Sequence, residues 1–228
     1  MKKIYYILFA VMMLCIACEI KLKPNDNAQS KIEVVRYDRL QSRYLTTGDF
    51  SALQEMNTEY AIETRTLIEN VLKLGAVYEP DINSRFLNFY QDTLLQSVIS
   101  AAETQYANME DINKSFTNAF SKAKKTLPGF IVPKIYTQIG AFDQSIIVGD
   151  TIIGISLDKY LGEDYPAYIK FYSKAQRKTM TREYIVPDCL NFYLLSLYPS
   201  KNFDKKSQYE KDIHMARVMY VTNELVGY

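Results

Sequence analysis

The spacing of apolar residues changes twice along this chain, and that alternation limits its fold more than any other feature. From about Ser51 to Ala123 apolar residues recur at three- and four-residue steps. From about Lys134 to Leu157 they crowd into short β-branched runs, and beyond Asp164 the helical spacing returns. Such a chain cannot be a plain helical bundle or a sandwich. It reads as α+β, mostly helical, with a small central antiparallel or mixed sheet.

Ile32-Glu33-Val34-Val35-Arg36-Tyr37 is β-branched and reads as a strand. A helix follows, with Ser51 and Gln54 at capping-box spacing. Leu53, Met56, Tyr60, Leu67, Val71 and Leu74 recur along one face until Gly75 stops it. Phe86, Tyr90, Leu94 and Val98 predict a helix over about 82–106. Met109, Ile112, Phe116, Ala119, Phe120 and Ala123 predict another, closed by Pro128-Gly129. Such stripes of methionine and aromatic residues are core rather than a cofactor box. Residues 135–139, 145–148 and 151–157 read as strands, and Gly149-Asp150 is a two-residue hairpin signal. Asp164 is placed to cap a helix containing Tyr168, Phe171 and Tyr172. Pro187 opens one with Leu190, Tyr193, Leu194 and Leu197. The last helix runs from about Ser207, with Met215, Val218, Met219, Thr222, Leu225 and Val226 on one stripe.

Ahead of this part, Met1-Lys2-Lys3 precedes the apolar run 4–17 and then Cys18. A basic start, an apolar stretch and small residues before a cut site are the order of an export signal. The run would rise only about 21 Å as a helix, less than the roughly 30 Å hydrocarbon core, so it is read as a cleaved leader and not a span. Ala17 before Cys18 meets the need of lipoprotein processing for a small residue ahead of the modified cysteine; Cys15, behind bulky Leu14, does not. Leu14-Cys15-Ile16-Ala17-Cys18 therefore resembles a bacterial lipobox, with Cys15 where leucine is usual. An acylated Cys18 would hold the protein on a bilayer. Residues 18–31 are polar, contain Pro24 and read as a tether, leaving residues 32–228 as one globular domain. With Cys18 carrying lipid and Cys15 removed, Cys189 has no disulfide partner and reads as a buried small hydrophobe.

The 27 basic and 26 acidic residues nearly cancel, which gives nucleic acid no electrostatic footprint to meet. The single histidine limits the chemistry further. A zinc peptidase helix reads H-E-x-x-H, whereas His214 is followed by Met215 and Ala216, with Val218 in the second ligand's place. His214 reads as a packing residue, and Glu210 at i − 4 is the one carboxylate its own helix offers as a co-ligand. Gly154-Ile155-Ser156-Leu157-Asp158 lacks the second glycine of a nucleophile elbow. No phosphate-cradling loop and no Cys/His cluster is visible, so no cofactor, metal or catalytic residue is expected.

Val35-Arg36-Tyr37-Asp38, then Gly154-Ile155-Ser156-Leu157-Asp158-Lys159-Tyr160-Leu161-Gly162 leading to Tyr165-Pro166, then Arg177, Met180, Glu183 and Ile185-Val186-Pro187-Asp188, resemble the gliding-motility lipoprotein (GldB-like) family. The resemblance implies a lipid-anchored cell-envelope protein of Bacteroidetes-type bacteria, linked in gliding members to the motility and protein-secretion machinery, with no established catalytic residues. It marks Arg36, Asp38, Asp158, Tyr160, Tyr165, Arg177, Glu183 and Asp188 as an interaction or structural motif. It also implies an order of elements similar to a zincin-like fold lacking its metal ligands.

Three readings of function follow. The first is a non-catalytic lipoprotein whose partners are the membrane, through Cys18, and other envelope proteins. Glu19-Ile20-Lys21 lacks an acidic run of the surface-export kind, which favours the periplasmic face of the outer membrane. The second is a metal-dependent peptidase or hydrolase that completes His214 with Glu and Asp from elsewhere, such as the region of Glu183 and Asp188. The third is a periplasmic binding module whose 19 tyrosines form a ligand surface.

Overall fold

The structure, a computed structural model, describes residues 31–227. The leader, Cys18 and the tether before Lys31 lie outside the described residues.

In place of a strand over residues 32–37, the chain makes a single parallel bridge from Val35 to Tyr136. Val35 donates to the Ile135 carbonyl (2.8 Å) and accepts from the Thr137 amide (3.0 Å). It then turns at once into helix α1 (Tyr37–Thr47). Tyr37, Leu40, Gln41, Tyr44 and Leu45 face inward, a helical spacing whose central position is an amide. That buried amide is fully used. Gln41 Nε2 donates to the Ile139 carbonyl (2.9 Å), and its Oε1 accepts from the Ile139 amide (2.9 Å), as a neighbouring strand would.

The stripe 53–74 is divided. Helix α2 (Phe50–Thr58) is capped by Asp49, not Ser51, through the Ser51 amide. Helix α3 (Ala61–Arg65) runs on into a π-helical turn over Thr66–Val71, in which the Leu72 amide reaches the Leu67 carbonyl at 2.8 Å. The helix expected over 82–106 is two, α4 (Ile82–Phe89) and α5 (Thr93–Gln105). The break falls where Asp92 caps α5 through the Leu94 and Leu95 amides, beside a Tyr90 hydroxyl spent on the Ile139 carbonyl. Helix α6 (Glu110–Thr126) buries Ile112, Phe116, Ala119, Phe120 and Ala123 as their spacing requires.

Three strands follow: β1 (Lys134–Gln138), β2 (Ile146–Val148) and β3 (Ile152–Ser156), in the order β1-β3-β2. β3 lies between the others, antiparallel to β2 and parallel to β1, so the sheet is mixed. The hairpin turn sits one residue later than expected, on Asp150 and Thr151, because Gly149 pairs with Ile152. Gly149 does not supply a left-handed backbone; it supplies room, since a Cβ there would lie 2.8 Å from Ile152 Cγ2.

Helix α7 (Pro166–Phe171) begins with Pro166 in its first turn after Tyr165, and Asp164 does not cap it. Short α8 (Lys174–Arg177) leads to α9 (Ile185–Leu197), which packs on β2 and β3. Helix α10 (Gln208–Val226), capped by Ser207 and Glu210 in a reciprocal box, lies against α9 and α6. Its stripe is narrower than expected. Val218, Thr222 and Leu225 are buried, while Met215 and Met219 are 39% and 53% exposed.

Candidate functional site

Alternation along the strands gives the sheet two unlike faces. Ile135, Ile153, Ile155 and Ile146 form one and are buried. The other carries Lys134 and Tyr136 on β1, opposite Ile152 and Gly154 on β3, with Ile147 beyond. Gly154 makes room on this second face for the Tyr136 ring. A Cβ there would lie 2.5 Å from Tyr136 Cζ and Oη, so the absent side chain lets the tyrosine ring cross over β3.

Over this face a cleft of about 810 Å³ opens between α3 with its π turn on one side and the β2–β3 hairpin on the other. Glu63, Thr66 and Asn70 come from the helical wall, Lys134 and Tyr136 from the floor, and Val148 and Asp150 from the hairpin. Lys134 Nζ donates to Glu63 Oε1 at 2.8 Å and lies 5.3 Å from the Tyr60 ring centre. The Glu63 side chain is only 4% exposed. Tyr136 is buried, yet its hydroxyl has no hydrogen-bond partner among the described residues. Burial pushes that phenol well above its ordinary range, and the Glu63 charge adds to the shift. It is therefore a firm donor at any physiological pH.

The residues marked by the family resemblance lie elsewhere. Arg36 grips Asp38 with both arms, Nε to Oδ1 at 2.8 Å and Nη2 to Oδ2 at 2.7 Å, and its Nη1 donates to the Tyr106 carbonyl. Thr137 donates to the same buried carboxylate, which fastens α1 to β1. The Tyr106 hydroxyl in turn donates to the Tyr160 carbonyl at 2.5 Å, and the Tyr160 hydroxyl to Asp188 at 2.9 Å. Asp158 is fully buried and accepts from the Gly140 and Phe142 amides, both at 2.6 Å. Its pKa is raised because burial outweighs those two bonds. Tyr165 stacks edge-on against Tyr168, whose hydroxyl is spent on the Asp158 carbonyl. Arg177 holds the Glu163 carbonyl at 2.8 Å. Arg36, Asp38, Tyr160 and Asp188 thus form one chain of bonds, with Asp158 and Tyr165 beside it. Glu183 is exposed and held below the usual carboxylate range by the Thr181 hydroxyl.

The core tyrosines point inward, with the hydroxyls of Tyr90, Tyr106, Tyr168 and Tyr193 used to hold backbone carbonyls, so these four present no ligand surface. His214 is half-buried, edge-on to Phe203 at 6.3 Å, beside an apolar pocket lined by Leu127, Leu194 and Val218. Glu210, the nearest candidate co-ligand on that helix, is already bound to the Ser207 amide and hydroxyl. No group of three or more His, Cys, Asp and Glu is placed to hold a metal among the described residues. Cys189 is buried, and burial together with the Asp188 charge pushes its thiol up, away from thiolate chemistry.

No motif in the sequence marks Gln41, Glu63, Lys134, Tyr136 or Arg182. Arg182 forks Asp111 and covers the Tyr106 ring. The signal available for the cleft was Gly154 inside a strand, facing a Lys-x-Tyr alternation.

Residues 19–228 match the family model described as gliding motility protein GldB. No curated protein and no solved structure matches the chain.

Proposed function

The chain belongs to the gliding motility protein GldB family, and on that premise we propose that it is a lipid-anchored envelope protein that acts by contact and not by catalysis. Residues 1–17 are a signal peptide, Cys18 carries the lipid, residues 18–31 are the tether and residues 32–228 the working domain, held at the periplasmic face of the outer membrane. The family match over residues 19–228 carries this reading, and the apolar run ending in Ala17-Cys18 supports the anchor. No helix among the described residues is long and apolar enough to cross a membrane. The order of helices, small mixed sheet and then further helices is read as a zincin-like scaffold without metal ligands. The residues Arg36, Asp38, Asp158, Tyr160, Tyr165, Arg177, Glu183 and Asp188 are assigned a structural role, on the grounds that most of them bind other parts of the same chain.

The anchor is tested by replacing Cys18 with Ser and feeding cells labelled palmitate. Label on the wild type, with the variant unlabelled and either uncut or soluble, is the expected result. A cleaved variant that still sediments with membranes refutes it.

A further inference from the structure

We infer that the cleft over the second sheet face binds an extended segment of a partner polypeptide that carries a basic side chain. The inference rests on the reading of this domain as a contact module, and it gives that contact a place and a chemistry.

Three features of the cleft point to a peptide. Tyr136 brings a donor with no partner among the described residues, on a side chain 1% exposed. Glu63 uses Oε1 for Lys134, which leaves a carboxylate with further lone pairs to accept a bond. A donor on the floor and an acceptor on the helical wall match the C=O and N–H of an amide. The third feature is the edge of β2. Ser145 pairs with Ser156 and Gly149 with Ile152 through ladder bonds, so by antiparallel alternation the N–H and C=O of Val148 point away from β3. Val148 lines the cleft and makes no other backbone bond among the described residues. An extended segment that crosses the cleft from Glu63 toward β2 would meet these two free backbone groups at its far end.

Charge selects the side chain. Glu59, Glu63 and Asp150 line the cleft against Lys134 alone, so the lining is net acidic. Ile62, 68% exposed, adds an apolar shelf at the rim. The volume of about 810 Å³ falls within the range of built ligand sites, roughly 300–1,000 Å³. The π turn over Thr66–Val71 forms part of the wall, and such turns recur at functional positions because they re-aim side chains at the expense of regular bonding.

The test uses the full-length chain in detergent and fluorescence anisotropy of a labelled peptide that alternates valine and lysine, with a valine–glutamate counterpart. The lysine peptide is expected to bind, and its counterpart at least tenfold more weakly. Tyr136→Phe keeps the ring over Gly154 and removes only the hydroxyl, so affinity should drop roughly tenfold. Asp150→Lys alters an exposed turn residue that the fold does not need, and should weaken the lysine peptide while narrowing the gap to the glutamate one. Circular dichroism of both variants checks that they are folded. Equal binding of the two peptides, an unchanged Tyr136→Phe, or a cleft that takes free N-acetylglucosamine and not the peptide overturns the inference. Fractionation of Cys18→Ser reads the anchor alone, so failure of either idea is seen separately.

Discussion

Replacing Asp188 by Asn isolates one buried charge. Burial pushes the Asp188 carboxyl up to about 6, and the Tyr160 hydrogen bond acts in the opposite direction; in an unfolded chain the group titrates near 3.9. Below about pH 4 both states hold the proton, and the side chain leaves stability unchanged. As pH rises from about 4 to about 6 the unfolded chain releases its proton first, which favours unfolding, so stability falls across that window and the loss is complete above it. A shift of about two units corresponds to roughly 3 kcal/mol. Because Asp188 keeps some contact with solvent, about 1–2 kcal/mol is expected. Asn offers the Tyr160 hydroxyl an acceptor at the same place, now 2.9 Å away, and cannot ionise. Urea unfolding of both proteins, followed by circular dichroism at intervals from pH 4 to pH 8, gives the difference directly. Carboxylates held below their usual range, such as Asp111 and Glu210, titrate alike in the two proteins and cancel. The variant's advantage should grow by about 1–2 kcal/mol between pH 4 and pH 7. A difference that is flat with pH, or one that favours the wild type as pH rises, refutes the reasoning.

Two further outcomes follow from packing. Arg36→Met strips the fork from Asp38, a carboxylate 2% exposed, and should cost about 3–5 kcal/mol in urea unfolding; a loss below about 1 kcal/mol would mean that Thr137 and Arg39 suffice. Gly154→Ala drives a Cβ to within 2.5 Å of the Tyr136 ring and should cost about 1–3 kcal/mol, mostly recovered in a Tyr136→Leu background. Additive costs in the double variant would show that the two residues do not collide.

Where the core is made of aliphatic and phenylalanine side chains at helical spacing, the sequence was readable. Helix α6 is the clearest case, since every residue of its stripe is buried. Helix α1 is not legible in the sequence because its inward face is Tyr37, Gln41 and Tyr44 as much as Leu40 and Leu45, and a glutamine at the centre of a stripe reads as a surface position. Its burial depends on Ile139, ninety-eight residues away, which supplies both the donor and the acceptor that the amide needs. The break between α4 and α5 was hidden for the opposite reason. Tyr90 and Leu94 keep the four-residue step straight across it, and only the preference of Asp92 for a cap marks the end of one helix and the start of another.

The motif residues were visible because they are clustered in sequence, and what they bind explains the clustering. Residues 157–165 leave the sheet without regular structure beyond one short turn, so their carbonyls need partners; Tyr106 and Tyr168 supply hydroxyls from the two sides, and Asp158 ties the segment back to Gly140 and Phe142. A run such as Gly154-Ile155-Ser156-Leu157-Asp158 therefore combines two demands. The glycine is needed because Tyr136 crosses β3, and the aspartate because a buried loop has amides to satisfy. The first demand belongs to the cleft and the second to its foundation. Glu63, Lys134 and Tyr136 had no such local signature, since each is an ordinary residue for its element and they converge only when β1 is laid parallel to β3 beneath α3. The room for the Tyr136 ring is written in β3 by Gly154, while the groups that give the cleft its chemistry are written in two other segments, and it is the topology that brings them together.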